Sequence, residues 1–569
     1  MMTYTPYPPE RAAYYLSRGY WTSDTFADFF AHQAQKYPHH TALVAQDSGG
    51  DIHRSSYLDL NTHIEATAAF FAESGINNGD FVVVQLPNIY EFAVTIGALF
   101  HLGALPVFAL PAHRGHELRH FISQSKATAL VCAAEFQGFN HAALADSLRE
   151  EFPTLTVIIA SPHEDHSDNL YLHSGVWLSG ATYPRHAVDA LDLAFLQVSG
   201  GTTGTPKLIP RTHADYLYSV RESALICSLD EHTRFLVILP VSHNFTMSSP
   251  GVLGVWLKGG TVVFCTDPSP STAFKIIAHE AITMTSLVPP LALAWLAVHA
   301  NTKPDLSSLE ILQVGGAKFS SAAASRIGPE LGCQLQQVFG MAEGLVNYTR
   351  YDDPPELVTT TQGRPISADD EIRIIDDSGQ PVAPGEPGIL LTLGPYTINS
   401  YFNGADPDSF SPDGFYITGD IVRQLPTGHL IVEGRSKDQI NRGGEKISAE
   451  DIENHLITHP LIRDAALVGV ADDMHGEKTC AFIVREVLTT DTELSTSGPS
   501  GPSRPSGLSA AELRQYLRNR GVASYKIPDF FEFAQEFPHT GVGKTSRKEL
   551  RALVLKYIQS TSESTPSSE

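Results

Sequence analysis

Cysteine is scarce and scattered. The 569-residue chain has five, Cys132, Cys227, Cys265, Cys333 and Cys480, and no two fall at CxxC spacing. A disulfide framework and a zinc ribbon are therefore excluded, and reduced thiols of a cytoplasmic protein are expected. Positive charge is also short: 39 Lys and Arg stand against 63 Asp and Glu, a net charge of −24. So acidic a chain repels polyanions, which argues against nucleic acid or anionic lipid as partners. Long apolar runs are missing too. A membrane span needs about 20 apolar residues in succession. The best candidate, "VTIGALFHLGALPVFALP" at 94–111, is interrupted by Gly97, His101, Gly103 and Pro106. It reads as a buried helix, a turn and a buried strand. The start, "MMTYTPYPPERAAYY", has no basic stretch leading into an apolar one, so no secretory leader is expected.

What is present is an ordinary globular composition, 42% hydrophobic and 18% charged, in a chain long enough for about three or four units at roughly 150 residues each. Through the first 340 or so residues, short β-rich apolar runs such as "DFVVVQLP", "RFLVILP" and "TVVFC" alternate with helix-length amphipathic stretches. That pattern predicts an α/β fold with parallel sheets covered by helices on both faces. From 351 to 434 the strands shorten and Asp-Gly, Thr-Gly and Pro turns divide them, which predicts a small β-rich unit. A smaller α+β pattern follows, with a natural cut near 434–437. Within it, "TTDTELSTSGPSGPSRPSG" at 489–507 is too polar and glycine-rich to pack and reads as a flexible insertion, and the tail 560–569 as disordered. No internal repeat is visible.

The strongest local signal is "LQVSGGTTGTPKLIPRTH" at 196–213. A buried strand enters a loop of Ser199, Gly200, Gly201, Thr202, Thr203, Gly204 and Thr205 that ends in Pro206 and Lys207. Glycines let backbone N–H groups approach an anion, the hydroxyls add donors and Lys207 adds a point charge, so the loop reads as a phosphate cradle. It is not a Walker A loop, which would need Gly and Ser or Thr flanking the lysine; here Pro206 and Leu208 flank it. A second segment, "HTGVGKTSRKEL" at 539–550, imitates the end of a P-loop, but Pro538 stands where the first glycine belongs. Lys544 reads instead as a lysine presented on a loop flexed by Gly541 and Gly543. "HEDH" at 163–166 has no apolar helical face to orient its imidazoles and reads as a solvated loop. Three further pieces carry chemistry: Glu343 in the turn of "QQVFGMAEG", a plausible magnesium ligand; Asp420 after the strand of "YITGD", an acceptor for a ribose diol; and the glycine-broken "GRSKDQINRGGEKI" at 434–447.

In this order, "GALPVFALP", "SGGTTGTPK", "FGMAEG", "YITGD", "GRSKDQINRGGEKI" and "GVGK" resemble the adenylate-forming superfamily, over about residues 20–556. The resemblance implies a large N-terminal core, 1–434, made of two doubly wound sheet subdomains and a small β-barrel-like unit. A hinge at 435–437 and a mobile α+β domain at 438–569 would follow. It implies ATP and Mg²⁺: a carboxylate attacks the α-phosphate, pyrophosphate leaves, and a thiol later displaces AMP. No covalent nucleophile is needed, so positioning and charge must do the catalysis. By matching positions, the 199–207 loop would hold the β- and γ-phosphates, Glu343 the magnesium, and Asp420 with Arg435 the ribose. Gly315, Gly316, Lys318, Val338, Gly340 and Met341 would line the nucleotide and acid pocket. Lys544 would bridge carboxylate and α-phosphate, Lys437 would be the hinge about which the small domain turns, and Gly443 and Gly444 would border the tunnel for the thiol arm.

Within the superfamily the chain resembles the stand-alone aryl-acid ligases of siderophore synthesis, and there "SHNFTMSSPG" at 242–251 would line the acid pocket. His243 would stand where pocket meets tunnel, without a general-base role. Asn244 would meet the 2-hydroxyl side of the ring and Ser249 a 3-hydroxyl. Relatives that select salicylate commonly carry Cys at the Ser249 position and Leu at that of Val346, so this pair favours 2,3-dihydroxybenzoate. Phe245 points the other way, toward salicylate. No carrier-domain serine motif follows the C-terminal domain, so the expected acceptor is the phosphopantetheine thiol of an aryl carrier protein supplied in trans, with free coenzyme A as the competitor.

Overall fold

The computed structural model describes residues 4–163, 169–199, 206–376, 378–436, 439–442, 445–472, 476–486, 508–520, 522, 526–539 and 545–562. The insertion at 489–507 and most of "HEDH" lie outside these residues. The chain divides into two compact units. One comprises Met1–Ile375, Leu390–Thr418 and Gln424–Ile431; the other comprises Asp376–Ile389, Gly419–Arg423 and Val432–Glu569.

Two large sheets organise the first unit. In the nine-stranded sheet, Gln334–Gly340, Ile311–Gly315, Met284–Leu287, Arg234–Val237, Thr261–Phe264 and Thr41–Gln46 run parallel as a central block. Antiparallel strands flank it, Val346–Tyr348 and Arg364–Pro365 at one edge and Ile52–Ser56 at the other. The seven-stranded sheet is parallel except at one edge, where Leu208–Thr212 returns antiparallel beside Leu193–Val198. The helix Tyr90–Leu102, taken from the interrupted apolar run, is buried at all 13 positions. It packs on Thr41–Gln46 of one sheet and Leu105–Phe108 of the other, which is why its sequence is apolar all round and lacks a polar face. Gly103, left-handed at φ 70°, ends it and turns the chain into Leu105–Phe108.

The β-rich stretch forms a four-stranded sheet in chain order, Glu371–Ile375, Gly388–Leu393, Tyr416–Gln424 and Leu430–Arg435. In the second unit, Ile462–Asp472 and Gly476–Arg485 form an antiparallel pair joined by Gln439–Arg442, Glu445–Ser448 and Phe530–Ala534. Alternation along this pair feeds two separate cores. Ala465, Leu467, Ala481 and Ile483 pack with Ile452, Leu456, Leu513 and Leu517; Ala466, Val468, Cys480 and Phe482 pack with Phe537, Leu550 and Val554. Both faces of the sheet are thus covered, as the period of two requires. The last helix, Arg547–Ser562, runs three residues into the stretch expected to be disordered, since neither Gly nor Pro interrupts the chain before Pro566.

All five cysteines are free and buried. Burial pushes the thiols of Cys132, Cys333 and Cys480 up to about 12 and raises those of Cys227 and Cys265. Among the described residues, no helix is long and apolar enough to cross a membrane.

Candidate active site

Open parallel sheets leave a crevice beyond the carboxyl ends of their strands, where loops converge and ligands bind. The candidate residues of the first unit gather at such ends. Leu193–Val198 leads into the 199–207 loop, Arg234–Val237 into the segment carrying His243 to Ser249, Ile311–Gly315 into Gly316 and Lys318, and Gln334–Gly340 into Met341 and Glu343. The two ends of the 199–207 loop are joined by two hydrogen bonds: Ser199 N–H donates to the Lys207 carbonyl at 2.9 Å, and Lys207 N–H to Ser199 Oγ at 2.9 Å. Gly200, Gly201, Thr202, Thr203 and Gly204 lie outside the described residues. The Lys207 ammonium pairs with Asp406 and lies 4.6 Å from the centre of the Tyr401 ring.

Glu343 is 7% exposed, in the turn between Gln334–Gly340 and Val346–Tyr348. Its Oε1 accepts from the Tyr401 hydroxyl at 2.8 Å, and its carbonyl accepts from Ile398 N–H at 2.9 Å. Burial, reinforced by the Glu343 carboxylate, raises the Tyr401 phenol far above its ordinary range, so Tyr401 remains a donor. Among the described residues no three His, Cys, Asp or Glu side chains come together as a metal site. A single fixed carboxylate is nonetheless a fitting set for Mg²⁺, which takes one or two carboxylates and completes its shell with phosphate oxygens and water.

The acid-pocket candidates surround the ends of three neighbouring strands. Gly315 pairs with Val338 across the sheet. A Cβ at Gly315 would lie 2.9 Å from the Val338 carbonyl and 3.0 Å from Cζ of Phe245, so the missing side chain is what admits the Phe245 ring. Gly340 is similarly closed in, by the Leu345 carbonyl and by Val346, its partner in register. The short helix Asn244–Ser248 begins at His243, whose Nδ1 accepts the Phe245 N–H at 3.3 Å. That bond gives the imidazole a capping task. Asn244 Oδ1 accepts from the Tyr216 hydroxyl at 2.8 Å, which leaves the amide NH₂ as the group's donor end. Ser249 is 3% exposed and Val346 5%.

In the second unit, Arg435 Nε donates to Asp420 Oδ1 at 2.8 Å. Asp420 is buried while the Arg435 side chain is about half exposed. Lys437, Gly443, Gly444 and Lys544 lie outside the described residues.

The model of the AMP-binding enzyme family matches residues 30–402, and that of the AMP-binding enzyme C-terminal domain matches 451–544. The chain belongs to the AMP-binding enzymes. It is 48% identical to the 2,3-dihydroxybenzoate-AMP ligase of Bacillus subtilis, over 97% of each chain. It is 47% identical to the vibriobactin-specific 2,3-dihydroxybenzoate-AMP ligase of Vibrio cholerae, over 96% of this chain and 97% of that one. Among solved structures, apo MbtA of Mycobacterium smegmatis superposes with a TM-score of 0.71 at 43% identity, covering 97% of this chain and 98% of that one.

For this AMP-binding enzyme, sequence reasoning misses the residues that hold the site from behind. Arg211, 2% exposed, is paired with the equally buried Asp215. It donates to the carbonyl of Ala342 at 2.6 Å and to that of Tyr396 at 3.0 Å, tying the strand Leu208–Thr212 to the Glu343 turn. "PRTH" contains the clue, a charge inside an otherwise strand-like run, but nothing in the sequence names its partners.

Asp370 is a second such residue. Its Oδ2 accepts from the Tyr396 hydroxyl at 2.7 Å and from Ser367 N–H at 3.1 Å, and Tyr396 in turn accepts from Val346 N–H at 3.1 Å. Burial pushes the Asp370 carboxyl up to about 7. Folding therefore favours its protonated form, and its contribution to stability is greatest below pH 4 and declines as the pH climbs from about 4 to about 7. The full decline is up to about 4 kcal/mol at 1.36 kcal/mol per unit. Asp370→Asn keeps an acceptor for both donors and is expected to flatten the thermal-midpoint profile between pH 4.5 and 7.5, with the larger gain at the alkaline end. A variant profile parallel to the wild type's would refute this.

Proposed function

We propose that this protein activates 2,3-dihydroxybenzoate with ATP and passes it to a thiol in siderophore biosynthesis. What supports the reading is the set of residues at these strand ends: apolar Phe245 and Val346 beside Gly315, with two polar groups, Asn244 and the buried Ser249. An aromatic ring suits the apolar residues. Two adjacent ring hydroxyls suit the polar groups, since a buried serine hydroxyl left without a partner costs binding.

In the proposed reaction the substrate carboxylate attacks the α-phosphate, a P–O bond forms to the acyl oxygen and the bond to pyrophosphate breaks. Lys207 and the 199–207 loop hold the β- and γ-phosphates, Asp420 and Arg435 the ribose, and Lys544 the charge between carboxylate and α-phosphate. Glu343 with phosphate oxygens would hold Mg²⁺, which neutralises charge on the phosphates. The carbonyl carbon of the adenylate then accepts the phosphopantetheine thiolate of an aryl carrier protein along Gly443 and Gly444, and AMP leaves. Lys437 is the pivot between the two half-reactions, and the cytoplasm is where ATP and a reduced thiol coexist. Phe245 supports salicylate as the second reading, because its ring offers no hydroxyl to a dihydroxylated substrate.

ATP–pyrophosphate exchange with 2,3-dihydroxybenzoate, salicylate, benzoate and a medium-chain fatty acid tests this. Exchange should be fastest with 2,3-dihydroxybenzoate, and Ser249→Cys should move the preference toward salicylate by roughly tenfold. Exchange with the fatty acid alone would overturn the aryl reading; exchange fastest with salicylate would favour the second.

A further inference from the structure

Two charges of opposite sign meet on one buried tyrosine. The ring of Tyr401 carries the Lys207 ammonium on its face, 4.6 Å from the ring centre, within the range of a cation–π contact. The hydroxyl of the same residue donates to Glu343 Oε1 at 2.8 Å. Tyr401 is 2% exposed, and its ring is fixed edge-on against Phe410 and Tyr416, whose centroids lie 5.7 and 6.3 Å away. Because its own proton goes to Glu343, the Tyr416 hydroxyl, 3.1 Å distant, is the donor to the Tyr401 oxygen. The Lys207 ammonium has a second neighbour in the Asp406 carboxylate. Asp406 takes a left-handed backbone, φ 48°, which is uncommon for a residue with a side chain, and its Oδ2 also accepts from Ser409 Oγ at 2.9 Å. Backbone and hydroxyl together fix where that carboxylate lies. All these residues belong to the first unit.

We propose that Tyr401 is a positioning residue of the triphosphate site, holding the cation of Lys207 and the metal-binding carboxylate of Glu343 at one spacing, and that Asp406 competes with phosphate for that cation. The inference rests on the assignment of Lys207 to the phosphates and of Glu343 to Mg²⁺. With Oε1 committed to the tyrosine chain, Oε2 is the oxygen offered to the metal. The phosphates that satisfy Lys207 must also reach the metal on Glu343, so the separation of the two side chains matters, and one ring sets it. Asp406 gives the ammonium a partner of the same sign as phosphate. ATP therefore binds by exchanging one anion for another, and part of its attraction to Lys207 is offset. The same competition helps pyrophosphate to leave. Loss of the Tyr401 hydroxyl weakens the metal-dependent part of binding, and loss of the Asp406 charge strengthens the metal-independent part. Damage to packing alone would weaken both.

The test is calorimetric titration of α,β-methylene-ATP, which cannot lose pyrophosphate, into the full-length protein, once with excess Mg²⁺ and once with EDTA. The proteins are the wild type, Tyr401→Phe, Tyr416→Phe, Asp406→Asn, Lys207→Ala and Glu343→Gln. Tyr401→Phe keeps the ring under Lys207 and should raise Kd by about tenfold with Mg²⁺ but by less than about twofold in EDTA. Asp406→Asn keeps an acceptor for Ser409 and tolerates the left-handed backbone, and it should lower Kd by about threefold in both media. A loss in Tyr401→Phe that is equal in the two media, or no loss, overturns the positioning role. A Kd unchanged or raised in Asp406→Asn overturns the competition. Should Tyr401→Phe fail to fold, Tyr416→Phe decides, through a smaller loss confined to the Mg²⁺ titration. An unchanged Kd in Lys207→Ala, or wild-type affinity with Mg²⁺ in Glu343→Gln, would instead overturn the assignments on which the inference rests.

Discussion

Glu343→Gln is expected to lower ATP–pyrophosphate exchange by about 10²–10³-fold, the loss typical of deleting one fixed group that stabilises transferring charge. The substitution is nearly isosteric. Its amide oxygen can still accept from the Tyr401 hydroxyl, which bonds Oε1 at 2.8 Å, and the backbone bond from Ile398 is untouched. Only the negative charge disappears, from a residue 7% exposed. Raising Mg²⁺ should recover part of the rate, because a weakened metal site is refilled by mass action. A fall of less than about threefold, insensitive to Mg²⁺, would show that Glu343 does not hold the metal.

The second large effect concerns stability. Arg211→Met removes a buried guanidinium and leaves Asp215, 1% exposed, without its counter-charge, at a cost of about 3–5 kcal/mol. Asp215 still accepts from Thr212 and Tyr7, which is too little to solvate a buried carboxylate. The carbonyls of Ala342 and Tyr396 lose their donors at the same time. Differential scanning calorimetry should show a transition lowered by roughly 5–10 °C. Arg211→Met/Asp215→Leu, which removes both charges, should regain part of that loss. If the double variant melts no higher than the single one, the cost does not come from the stranded charge.

The alternation of β-rich runs with amphipathic helices made the parallel sheets legible, because period and length are local properties that burial on both faces leaves in the sequence. The motifs were legible for a related reason. Glycines at 315 and 340 leave room for neighbours that a Cβ would strike. What was not legible depends on distant partners. Arg211 meets residues 131 and 185 positions away. Asp370 could have been any acidic turn residue; only the enclosure of its carboxyl by Tyr396 and Ser367 makes it unusual. His243 could be placed near the pocket, but its use as the cap of a five-residue helix depends on the backbone of Phe245. The helix Arg547–Ser562 ends three residues inside the expected tail, and residues 563–569 lie outside the described residues.

The burial of all five thiols has a practical corollary for anyone who wishes to test whether the two units move against each other. A maleimide or nitroxide reagent, which attacks only accessible thiolate, finds no ready target in the native chain. A cysteine introduced on the surface of each unit would then be the sole handle, and distances between two such labels could be followed through adenylation without first stripping the protein of its own sulfur.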